Sequence, residues 1–214
     1  MVDFAKAMDA CPLIAILRGI TLNEVDSVSD ALVEAGYRII EIPLNSPEPL
    51  RSIERLAQRH GEQAIVGAGT VMTPEDVIDV RDAGGELIVM PHLDIDVVEE
   101  AKAENLICAP GVATPTEGFN ALTAGADALK LFPAEAMPPK IVKAWRAVFP
   151  LETKLIAVGG ISATNIGDYL AAGTAGFGIG LTLYAPGRPA QDVALAAKDL
   201  FKAFTKTKAA LNTI

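Results

Sequence analysis

The run Gly125–Pro133, GADALKLFP, places one lysine in an otherwise apolar stretch that ends on Phe-Pro. Read as a β-strand, its side chains alternate, so Ala128, Lys130 and Phe132 share one face and Leu129 and Leu131 take the other. Seven further short runs have the same character: LIAIL from Leu13, RIIEIPL from Arg38, AIVGAG from Ala64, ELIVMP from Glu86, LICAPG from Leu106, KLIAVGG from Lys154 and AGFGIG from Ala175. Each is too short for a helix, rich in Ile, Val or Leu, and bounded by Gly or Pro, as buried parallel strands are.

Helical segments with repeating start and stop signals fill the intervals. TLNE (Thr21–Glu24) and TPTE (Thr114–Glu117) read as capping boxes. SPEP from Ser46 and TPED from Thr73 offer a cap followed by Pro at the first helical position, where a missing N–H costs nothing. Segments then close at Gly36, Gly61, Gly84, Gly125 and Gly173, each suited to a left-handed C-cap. Eight strand-then-helix units predict an α/β fold, a single (β/α)8 TIM barrel spanning residues 1–214, since parallel neighbours need a helical crossover. The alternative is a doubly wound open sheet, which would carry a glycine fingerprint after the first strand, where this chain has RGIT.

In a barrel, the leucines beside Lys130 face the helices and Lys130 faces the interior. The same alternation sends Ile40 and Ile42 outward and Glu41 inward, and brings Arg18 inward at the end of the first strand. Three charged groups from three strands then meet at the C-terminal mouth, where barrel enzymes keep their chemistry. One reading is a Lys130–Glu41 ion pair that merely fills space, although desolvating two charges makes such a pair a poor source of stability. The other is an amine whose pKa burial depresses, the nucleophile that a Schiff base with a ketone requires. A nearby ionised Glu41 opposes that shift, and the sequence leaves the balance open.

VGGIS (Val158–Ser162) follows the seventh strand and GIGLT (Gly178–Thr182) the eighth. Barrel phosphate sites sit after these strands, where backbone N–H groups meet the anion, so a phosphorylated small molecule is the expected ligand. GAGT (Gly67–Thr70) closes the third strand, and Thr70 with Arg18 is placed to hold a carboxylate. His60 and His92 share no ligand spacing with cysteine, which disfavours a metal-dependent mechanism. His60 reads as a helix-end residue and His92 as part of a surface loop.

Composition narrows the classes. A net charge of −9 and an acidic balance give no footprint for nucleic acid or an anionic membrane. No apolar run approaches the ~18 residues of a membrane span. Two cysteines, Cys11 and Cys108, and a start without a cationic flank and long apolar segment predict a cytoplasmic protein with reduced thiols.

IAILRGI, EIPLNSP, GAGTV, Pro110–Gly111, ALKLFPAE, VGGIS and GIG together resemble, in order and over most of the chain, the aldolases for 2-keto-3-deoxy-6-phospho sugar acids. That resemblance implies a homotrimeric, metal-free class I aldolase without a cofactor, taking a phosphorylated sugar acid and yielding pyruvate. It implies Lys130 as the Schiff-base lysine and Glu41 as the general acid/base. Arg18 and Thr70 would hold the pyruvyl carboxylate, Pro91 and Phe132 would shape the pocket, and Gly159, Gly160 and Gly180 would line the phosphate. EIPLNSP and AVGGIS resemble the galactonate-type members. Where gluconate-type members carry a Thr near carbon 4 and an Arg near the phosphate, this chain has Val158 and Asn45. Leu181 departs from a common Ser, removing a hydroxyl for which backbone N–H groups and Thr182 are expected to compensate. A phosphate-binding isomerase or synthase and a non-catalytic sensor barrel are the rival readings, and neither needs Lys130 together with Glu41.

Overall fold

The computed structural model describes residues 2–211. Every apolar run forms a strand: β1 (Leu13–Ile16), β2 (Ile39–Pro43), β3 (Ile65–Gly69), β4 (Leu87–Val89), β5 (Ile107–Ala109), β6 (Gly111–Val112), β7 (Leu129–Leu131), β8 (Leu155–Val158) and β9 (Gly176–Ile179). All are parallel, in the order β5-β4-β3-β2-β1-β9-β8-β7-β6. Eight runs give nine segments because Pro110, lacking an N–H, splits the fifth run. β5 bonds to β4 and β6 to β7, while the Lys130 N–H donates to the Pro110 carbonyl at 2.9 Å. The two pieces therefore act as one strand that joins the ends of the sheet, and the fold is a nearly closed α/β barrel rather than an open sheet.

Between the strands run α2 (Val25–Glu34), α3 (Pro49–His60), α4 (Pro74–Asp82), α5 (Ile95–Ala103), α6 (Pro115–Thr123), α7 (Pro139–Arg146) and α8 (Ile166–Ala171), followed by α9 (Ala190–Leu211) after β9. α1 (Phe4–Ala10) precedes β1. The strand alternation divides the core in two. Leu13, Ala15, Ile40, Ile42, Leu129, Leu131 and Phe177 pack outward against the helices. Ile14, Ile16, Ile39, Ile65, Leu87, Val89, Ala128, Ile156 and Val158 fill the interior, joined by Ala7 and Met8 of α1 at the N-terminal end. Each fully buried aliphatic contributes about 1.5–3 kcal/mol, so the interior is a packed plug below the charged layer.

The helix signals hold where local chemistry meets no competitor. Thr73 with Asp76, and Thr114 with Glu117, form reciprocal capping boxes with Pro at the first turn. Two other expected caps are not formed. Glu24 does accept from the Thr21 N–H, but the Thr21 hydroxyl donates to Glu24 instead of capping, and α2 starts only at Val25. Ser46 caps nothing: its Oγ accepts from the Gly19 N–H at 2.9 Å, and α3 starts at Pro49. Gly36, Gly84, Gly125 and Gly173 are left-handed as expected, whereas Gly61 has φ −57°.

Candidate active site

A cavity of about 510 Å³ opens at the C-terminal mouth, lined by Arg18, Glu41, Lys130, Phe132, Val158, Gly159, Gly160, Gly180 and Leu181, whereas Thr70 and Pro91 do not line it. Lys130 is the middle residue of β7 and Glu41 of β2, so both project inward from the sheet itself rather than from loops. They are 6% and 2% exposed, in a layer just above apolar plug residues. Room for the carboxylate comes from Gly69, where a Cβ would lie 2.1 Å from Glu41 Oε2.

Burial pushes the Glu41 carboxyl up to about 7, against Lys130, Arg18 and the Gly69 N–H, which favour the anion. Burial likewise pulls the Lys130 amine below the usual lysine range, with Glu41 opposing the shift and Arg18 adding to it. Desolvation thus leads in both groups and moves both toward their neutral forms. Among the described residues, no ion pair within 4.0 Å joins Lys130 to Glu41. Glu41 Oε2 is buried without a hydrogen-bond partner, and Lys130 Nζ lies 4.8 Å from the Phe132 ring centroid. A space-filling ion pair is therefore not what the interior contains. The pair consists of an amine with a lowered pKa and a carboxyl with a raised one, both facing a cavity, as proton-transfer and nucleophilic sites require.

At one end of the cavity Arg18 donates from Nη1 to Asn45 Oδ1 at 2.5 Å and from Nη2 to Thr70 Oγ1 at 3.3 Å. Thr70 adopts φ 57°, an unfavourable conformation for a β-branched residue. The sequence reading put residue 45 near the phosphate; in the fold it lies against Arg18 instead. Pro91 lies outside the cavity wall and packs on Gly111, whose absent Cβ would meet the Pro91 carbonyl at 2.4 Å.

At the other end Gly159 and Gly160 have φ 110° and 63°, so this turn could not carry side chains without strain. Leu181 is 81% exposed at the rim. The Thr182 hydroxyl donates to the Ile161 carbonyl at 2.9 Å, which ties the loops after β8 and β9 together and occupies the group expected to stand in for the missing serine. The Glu135 side chain packs over Gly159 and Gly160.

Ile16, Glu135, Ile161, Gly178 and Tyr184 also line the cavity but were not singled out from sequence. Alternation does carry Ile16 and Gly178, each two residues before a named position. His92 is exposed. His60 ends α3 as expected but is buried, with Nε2 3.1 Å from Ser29 Oγ and 3.0 Å from Asp30 Oδ1. Among the described residues no group of three or more His, Cys, Asp or Glu could hold a metal ion, and no helix is long and apolar enough to cross a membrane.

Comparison with known proteins gives a consistent picture. Residues 4–190 match the family model described as KDPG and KHG aldolase. A probable 2-dehydro-3-deoxy-6-phosphogalactonate aldolase of Rhizobium meliloti (strain 1021) is 46% identical over 182 residues, covering 85% of this chain and 86% of the relative. The 2-dehydro-3-deoxy-6-phosphogalactonate aldolase of Escherichia coli (strain K12) is 42% identical over 193 residues, or 90% and 94% of the two chains. A solved structure described as native KDPGal superposes with a TM-score of 0.91 at 41% identity, covering 92% of this chain and 96% of that one.

Proposed function

The chain belongs to the KDPG and KHG aldolase family, and from that premise we propose that it cleaves 2-dehydro-3-deoxy-6-phospho-D-galactonate to pyruvate and D-glyceraldehyde 3-phosphate through a Schiff base on Lys130. The observation that carries this reading is the pair of desolvated groups, Lys130 and Glu41, not ion-paired to each other, in one cavity that ends in a glycine-lined turn.

Lys130, when neutral, attacks the carbon 2 ketone, and Glu41 supplies and removes the protons that turn the carbinolamine into an iminium and water. The iminium draws electrons, so removal of the carbon 4 hydroxyl proton by Glu41, directly or through water, breaks the bond between carbons 3 and 4. The aldehyde leaves, the enamine takes a proton at carbon 3, and hydrolysis returns pyruvate and the free amine. Arg18 and Thr70 hold the pyruvyl carboxylate, Phe132 packs beside it, and the backbone at Gly159, Gly160 and Gly180 receives the phosphate. Pro91 supports this end from behind Gly111 rather than by contact. The active unit is a single barrel domain, 1–214, assembled as a homotrimer in the cytoplasm.

The galactonate epimer is favoured because Val158, 7% exposed in the cavity wall, offers no hydroxyl where the other epimer needs one. An apolar wall that leaves a substrate hydroxyl unpaired disfavours that epimer by up to about 100-fold. The test is pyruvate release from both 6-phosphate epimers by the wild type and Val158→Thr. The expected result is faster cleavage of the galactonate epimer by the wild type and a shift toward the gluconate epimer in the variant. Equal or reversed preference in the wild type would overturn the substrate assignment, and no pyruvate from either would overturn the reaction.

A further inference from the structure

A long arginine at the rim recognises a carboxylate well only if its guanidinium is already in place. Arg18 is exposed and follows the end of β1, yet besides its long bond to Thr70 it and both chain neighbours are tied to the segment 41–46. The Leu17 N–H donates to the Glu41 carbonyl at 3.0 Å. Arg18 Nη1 donates to Asn45 Oδ1 at 2.5 Å, and the Gly19 N–H donates to Ser46 Oγ at 2.9 Å. Three consecutive residues after the strand are therefore each held by residues 41–46. Ser46 is itself buried, 8% exposed, so the backbone anchor is protected from water.

The chemistry of the acceptor matters as much as its position. The Asn45 amide oxygen takes one guanidinium N–H without cancelling its charge, and apart from the long bond from Nη2 to Thr70 Oγ1 at 3.3 Å it leaves the other donors of the fork for a ligand. An aspartate there would accept the same bond but neutralise the cation, and a basic residue would repel it. We propose that Asn45 is a positioning residue that presents Arg18 to the pyruvyl carboxylate, with Ser46 fixing the backbone beneath it. This inference rests on the assignment of Arg18 to that carboxylate.

The test is the pyruvate concentration that gives half-maximal covalent trapping with borohydride, measured for the wild type, Arg18→Ala, Asn45→Ala, the double variant and Asn45→Asp. Acetone, a ketone without a carboxylate, serves as the control. Both single alanine variants should raise the pyruvate half-saturation about tenfold or more, the scale of a lost bond to a charged group. The double variant should be no worse than Arg18→Ala, because Asn45 acts only through Arg18. Asn45→Asp should also raise it, and in every variant acetone trapping should change less than pyruvate trapping, its residual change reporting the altered charge near Lys130. Asn45 is exposed, so its substitution leaves the fold intact. Wild-type half-saturation in Asn45→Ala with a raised value in Arg18→Ala, or additive losses in the double variant, would overturn the inference while leaving the carboxylate assignment standing. An unchanged value in Arg18→Ala would overturn both.

Discussion

Substituting Gly69 with alanine adds a single methyl group to the end of β3. The main chain there is ordinary strand, so the backbone accepts alanine; Gly69 is not among the positive-φ glycines. The methyl instead meets the Glu41 carboxyl, at 2.1 Å from Oε2, 2.5 Å from Cδ and 2.5 Å from Oε1. This is about 1 Å inside the closest approach that real Cβ atoms show, so Glu41 must swing away. A misplacement of about 1 Å can cost roughly 100-fold in rate, and complete loss of a general acid/base costs about 100- to 10,000-fold. The expected kcat of Gly69→Ala, read from pyruvate release, is therefore about 100-fold below wild type. Stability should hardly change, because the clash is with the end of a flexible side chain. A Tm within about 4 °C of wild type is expected, the shift that ~1 kcal/mol produces in a domain of this size. Wild-type kcat in Gly69→Ala would refute the claim that Glu41 must occupy this position.

Other substitutions separate strain, latch and titration. Thr70→Gly relieves the left-handed strain of φ 57°, so Tm should hold or rise by the equivalent of about 1 kcal/mol while the pyruvate half-saturation increases; a lower Tm would contradict the strain. Glu24 accepts bonds from the Thr21 N–H and hydroxyl, the Tyr184 hydroxyl and the Gly187 N–H, joining the loops after β1 and β9. Glu24→Ala should cost about 1 kcal/mol in denaturant unfolding, chiefly by leaving the hydroxyl of the buried Tyr184 without this partner, and raise KM for the phosphorylated substrate more than pyruvate half-saturation. Glu41 titrates at about 7 in the fold against 4.5 unfolded. The folded state thus holds its proton longer, so this group's contribution is full below about 4.5 and is lost as pH rises through about 7. The Tm of the wild type relative to Glu41→Gln should fall over that window and level off above it, and a rising difference would reverse the sign.

Much of the barrel is legible in the chain because one rule, alternation along a strand, does most of the sorting. It places Lys130 and Glu41 inward, Leu129, Leu131, Ile40 and Ile42 outward, and the two shells of the core follow. Signals that depend on local partners are less secure. Thr73 and Thr114 cap their helices because their reciprocal acids lie within the same turn. Ser46 and Glu24 carry similar spacing, yet neighbouring loops offer them the Gly19, Tyr184 and Gly187 donors, and those tertiary partners draw them away from simple capping. The same limit explains Asn45 and Thr182, whose partners lie 27 and 21 residues away in sequence. Contacts of this kind depend on how neighbouring barrel loops meet, which no local pattern encodes.

The central claim is covalent chemistry at Lys130, and it is tested most directly by intact mass after incubation with pyruvate and borohydride, followed by peptide mapping. A reduced pyruvyl adduct on the peptide bearing Lys130, absent from Lys130→Ala, is the predicted result. A folded protein that forms no adduct with pyruvate in excess, or one modified at a different lysine, would contradict it.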